Sequence, residues 1–93
     1  MAVTIISFSH NGNYWESAPI ACTGGDVRVR VHKLGPQPVN VLASIDGEVD
    51  YLDFDEFGGD EYKSEVTIAG VPRGQYLKLR SRARIELIKV IQN

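Results

Sequence analysis

The sequence predicts an all-β protein: an antiparallel sandwich of about seven strands, with a small β-barrel as the alternative closure. Three observations predict it. Apolar residues recur at every second position through most of the chain, the period of a strand with one buried face. Turn dipeptides interrupt these runs at short intervals. No window sets apolar residues at helical spacing between capping residues.

The strands are expected near 3–9, 14–22, 26–33, 38–46, 48–54, 61–69 and 75–91, the last dividing near Ser81. Asp26-Val27-Arg28-Val29-Arg30-Val31-His32 alternates strictly, with three valines on one face and Arg28, Arg30 and His32 on the other. Val39, Val41, Ala43 and Ile45 repeat the pattern, and Leu42 on the opposite face implies partial cover there. Tyr62, Val66 and Ile68 oppose Lys63, Glu65 and Thr67, and Leu77 and Leu79 alternate with Lys78 and Arg80. In the final run Ile85 and Leu87 share one face, then Ile88 and Val90 take the other, which reads as a bulge or a strand covered on both sides. Asn11-Gly12 and Asp46-Gly47 are hairpin dipeptides; Gly24-Gly25, Gly35-Pro36, Gly58-Gly59 and Pro72-Arg73-Gly74 mark the other reversals.

Ninety-three residues suffice for one domain, expected to span 1–93, with a single core. No apolar run approaches the roughly 18 residues of a membrane span. The opening Met-Ala-Val-Thr-Ile-Ile lacks the basic start of a classical signal peptide. The single cysteine, Cys22, has no partner within the chain and is expected to be a small buried hydrophobe. A formal charge of −2 argues against a general nucleic-acid binder. His10 and His32 stand apart from any nucleophile motif, and the common catalytic and phosphate-binding signatures do not occur. No enzymatic activity and no cofactor are expected.

Charge is segregated along the chain. Residues 46–61 hold eight acids (Asp46, Glu48, Asp50, Asp53, Asp55, Glu56, Asp60 and Glu61) and no base, whereas residues 62–93 hold seven bases against Glu65 and Glu86. Such polarity can orient docking between molecules, or the two runs can neutralise one another as neighbouring strands. The candidate docking residues are Asp53, Asp55 and Glu56 with Phe54 and Phe57 as apolar anchors, and Arg80, Arg82 and Arg84 as the basic counterpart. The run Lys78–Arg84 can equally be an edge strand guarded by charge. Asp53, Asp55 and Asp60 beside Gly58-Gly59 offer calcium hard oxygen donors, but the EF-hand spacing is missing, and a solvated acidic loop fits better. A carbohydrate module is the alternative function. It rests on Tyr14-Trp15, whose rings fall on opposite faces of a strand so that one can stack on a sugar.

One segment is more specific. Val66-Thr67-Ile68-Ala69-Gly70-Val71-Pro72-Arg73-Gly74-Gln75-Tyr76-Leu77-Lys78-Leu79 resembles the corner between the fifth and sixth strands of immunoglobulin-like and fibronectin-III-like domains, although Lys78 stands where antibody domains carry cysteine. The resemblance implies an immunoglobulin-like sandwich in which Tyr76 folds over the corner and returns its hydroxyl to upstream backbone. In size and style the chain also resembles the small immunoglobulin-like accessory proteins of tailed-bacteriophage virions: capsid decoration, head–tail or tail components. That resemblance implies a non-enzymatic assembly protein, located in the virion or the host cytoplasm. Its partner is then a protein or another copy of itself, with no membrane and no nucleic acid involved.

Overall fold

The computed structural model describes residues 2–46 and 51–92. Ten strands form two antiparallel sheets packed face to face: β1 (Ala2–Ile5), β2 (Phe8–Asn11), β3 (Tyr14–Ser17), β4 (Ile20–Ala21), β5 (Gly25–Leu34), β6 (Val39–Ser44), β7 (Leu52–Phe57), β8 (Lys63–Val71), β9 (Tyr76–Ser81) and β10 (Arg84–Gln92). One sheet has the order β1-β10-β5-β8; the other has the order β2-β3-β9-β6-β7, with β4 also pairing β9. The antiparallel sandwich read from the alternation is present.

Its strand order is that of a jelly roll. In immunoglobulin domains the final strand lies beside the penultimate one in the same sheet. Here β10 leaves β9 at Arg82-Ala83 and enters the opposite sheet between β1 and β5. Ser81 fixes that departure: its buried hydroxyl donates to Pro38 O at 2.9 Å and accepts from Ala83 N at 3.1 Å. Leu77 and Leu79 are fully buried, so Tyr76 lies on the outer face of β9, and the corner implied by the resemblance is not closed by a tyrosine ring turned inward.

The expected strands divide where the two sheets diverge. The first run splits at Ile6-Ser7, because β1 pairs β10 while β2 pairs β3 in the other sheet. The second splits at Ala18-Pro19, proline having no N–H to continue the ladder. Ser17 fills the gap: its hydroxyl accepts the buried Leu79 N–H at 2.9 Å. Of the strand expected at 48–54, residues 48–50 lie outside the described residues, as does Gly47 of the turn expected at Asp46-Gly47; the described strand runs over 52–57. The β2–β3 hairpin turns on Gly12 with φ of 64°, the glycine-requiring first position of a tight two-residue turn.

The core is what period two dictates. Val27, Val29 and Val31 of β5 meet Ile85, Ile88 and Val90 of β10 in one sheet and Val39, Val41, Leu77 and Leu79 from the other. Each such side chain contributes roughly 1.5–3 kcal/mol by leaving water. A register shift between Ile85 and Leu87 realises the expected bulge: Ile85 and Ile88 point inward, and Leu87 turns out opposite His32.

Candidate docking surfaces

Among the described residues, strand β7 forms an edge of the six-stranded sheet and pairs only with β6. Its pairing runs Phe57 opposite Val39, Glu56 opposite Asn40 and Asp55 opposite Val41, then shifts, with Asp53 opposite Leu42 and Leu52 opposite Ala43. Residues paired across strands share a face. The bulge at Phe54 therefore puts Asp53 and Glu56 on the outer face and turns Asp55 and Phe57 toward the sandwich. Phe57 packs against the core, which removes it from the exposed anchors. Phe54 remains 53% exposed, and Leu52 beside it 75%. Leu52, Phe54, Asp53, Ala43 and Ile45 line a groove of about 520 Å³.

The acids of this edge have no cation. The Asp55 carboxylate accepts the Glu56 N–H at 2.8 Å, and Glu56 accepts from Asn40 Nδ2 at 3.3 Å. Among the described residues no ion pair reaches Asp53, Asp55, Glu56, Asp60 or Glu61. Nor do three or more His, Cys, Asp or Glu side chains converge as metal ligands among the described residues.

The basic strand expected to face these acids is occupied within the molecule. Strand β6 lies between β7 and β9, so acids and bases on the same sheet stand two strand spacings apart, about 9–10 Å. Arg80 instead meets Glu16 of β3 at 2.8 Å, and Lys78 reaches the same carboxylate at 3.4 Å. The guanidinium groups of Arg80 and Arg82 lie 5.1 and 5.4 Å from the centre of the Tyr14 ring, and Arg82 donates to the Tyr14 hydroxyl at 3.4 Å. That hydrogen bond, with the Arg82 charge, lowers the Tyr14 pKa. Trp15, on the inward side of β3, packs against the core between His10, stacked at 4.9 Å, and Phe8 at 6.0 Å. The tryptophan of the carbohydrate alternative is therefore engaged inside the fold, and its tyrosine neighbour is engaged by two arginines.

A second charged surface, unrecognised in the sequence, covers the outside of the four-stranded sheet. Pairing places Arg28, Arg30 and His32 of β5, Lys63, Glu65 and Thr67 of β8, and Arg84, Lys89 and Ile91 of β10 on one face, with Val3 and Ile5 of β1 at its border. Arg84 thus belongs to this face rather than with Arg80, and lies 3.5 Å from Glu86. Glu65 binds Arg28 at 2.9 Å and Arg30 at 2.7 Å, and hydrogen bonds from Arg30 and Arg28 hold its carboxyl below the usual range. Lys63 and Lys89 have no carboxylate in range among the described residues. Burial, then the charges of Lys63, Lys89 and Arg30, lower the His32 pKa, so the imidazole registers the positive field of the face. Val3 and Ile5 are 60% and 66% exposed. The signal was present in the Arg28-Arg30-His32 alternation, but its neighbours came from strands 30 to 60 positions away in the chain.

Lys33 also escaped the sequence reading. It continues the inward series Val27-Val29-Val31, and it is fully buried. Its ammonium donates to Gly35 O at 3.0 Å and to Gly59 O, tying the β5–β6 turn to the β7–β8 loop. Beside it Gly58 takes φ of 81°, and a Cβ there would lie 2.8 Å from the buried, unpaired Ser64 hydroxyl. Cys22 is buried as expected, and burial raises its thiol pKa. Set against models of known protein families and against characterised proteins, the chain matches none.

Proposed function

We propose that this chain is a non-enzymatic assembly protein that docks through polarised charged surfaces, in the manner of a virion accessory or capsid decoration protein. The observation that carries the reading is the β7 edge. There Asp53, Asp55 and Glu56 stand, among the described residues, without a cation beside exposed Leu52 and Phe54 on an edge strand. Exposed ion pairs stabilise by only about 0–1 kcal/mol, so the apolar groove supplies affinity while the carboxylates supply orientation and rate. Jelly-roll sandwiches build viral capsids, which supports the virion setting by analogy of fold alone. They also build lectin domains, but Trp15 here is partly buried with its ring packed against the core.

Zero-length carbodiimide coupling in the native source tests the reading, because it joins a carboxylate only to an amine in direct contact. Cross-links from Asp53, Asp55 or Glu56 to lysines of another molecule are expected. If none involves these three residues while other carboxylates of the chain do cross-link, the docking edge is wrong.

A further inference from the structure

We infer that the partner of the β7 edge is a second copy of this chain, bound head to tail through the outer face of its four-stranded sheet. The inference rests on the docking reading above and names the occupant. The two surfaces match in sign and in apolar content: Asp53 and Glu56 on the outer side of the edge and Asp55 on its inner side flank Leu52 and Phe54, while on the sheet face Lys89 lies beside Ile5 and Lys63 stands at the opposite border. Neither patch can bind its own kind. An isologous contact sets acids against acids or bases against bases, and like charges juxtaposed at an interface are repelled. The cations of β9, the nearer basic candidates, are already engaged with Glu16 and Tyr14. A contact between two different patches leaves one of each free at the ends, so the assembly grows into a ring or a filament.

The test is sedimentation velocity of the purified full chain, with two charge-reversal variants that retain wild-type melting. Asp53→Lys/Asp55→Lys/Glu56→Lys removes the edge, and Lys63→Glu/Lys89→Glu weakens the face without touching a salt bridge. Wild type is expected to grow beyond a dimer with concentration at about 50 mM salt and to dissociate at about 500 mM, where screening is short-ranged. Each variant alone is expected to associate at least about tenfold more weakly. Their equimolar mixture is expected to reassemble, since each variant keeps one native patch and the reversed edge and the reversed face are again opposite in sign. Phe54→Ser, which leaves charge unaltered, should also weaken wild-type assembly.

A wild type that stays monomeric at low salt, or that stops at a symmetric dimer, overturns the inference. So does a mixture of variants that fails to associate. Monomeric wild type together with carboxylate cross-links to a foreign protein in the native source would sink self-assembly and leave the docking edge standing. Loss of both sinks both.

Discussion

Two charged regions of this sandwich meet opposite fates. Lys33 is a cation carried into the interior, where two backbone carbonyls accept its protons and its stem completes a row of valines. The acids of β7 lie in solvent, and among the described residues they have no cation at all. Burying an ammonium is costly unless it is hydrogen-bonded, so the fold depends on each partner of Lys33. Solvated carboxylates place no such demand, and the fold is indifferent to them. The difference teaches where to look for function: in the charges whose removal the folded state does not notice.

The contrast breaks first at Lys33. Lys33→Ala strips the stem and orphans two carbonyls, with an expected loss of about 2–4 kcal/mol. The thermal midpoint should fall by roughly 10–20 °C. Lys33→Met keeps the stem and should fall less. A midpoint unchanged in Lys33→Ala would mean that the buried cation stabilises nothing. Ser17→Ala comes next, leaving the buried Leu79 N–H unpaired at the gap beside Pro19; chemical denaturation should show a loss of about 1–3 kcal/mol. Glu16→Ala releases Lys78 and Arg80 together and should cost about 1 kcal/mol by the same assay. The triple reversal at Asp53, Asp55 and Glu56 should remain within about 0.5 kcal/mol of wild type. A larger loss would place these acids in the folding ledger and end the contrast.

The smallest effect is spectroscopic. His32 should titrate below the ordinary histidine range by NMR, since burial and then the nearby cations disfavour its protonated form. Its pKa should rise in Lys63→Glu/Lys89→Glu. Because the folded value lies below the unfolded one, the unfolded chain binds the proton first. Stability from this group is therefore complete above the unfolded pKa and declines as pH falls toward the folded value.

Legibility followed the range of the interactions. The alternation of Val27, Val29 and Val31, the hairpin at Gly12, the break near Ser81 and the bulge after Ile85 are local, and the sequence carried them all. Leu42, read as covered on its outer side, is buried there against the sheet. What escaped depends on which strands meet. Nothing in Ile85–Ile91 says that β10 lies beside β5 rather than β9, a placement that the immunoglobulin order lacks. The acidic and basic segments share a sheet yet are kept apart by β6, and Arg80 and Arg82 turn instead to Glu16 and the Tyr14 ring. Lys33 is legible in principle, since it stands two residues after Val31 at the last inward position of the same period.

The place of β10 carries a kinetic consequence. It follows every other described strand in the sequence and is also an inner strand of its sheet, with β1 on one side and β5 on the other. Until residues 84–92 have left the ribosome, β1 has no neighbour, and β5 shows a bare flank of alternating valine and arginine. Closing that flank requires a loop of some fifty residues between β5 and β10, and chain closures of that length make for slow folding. The nascent chain thus carries an open sheet seam that residues 84–92 must reach before another chain does.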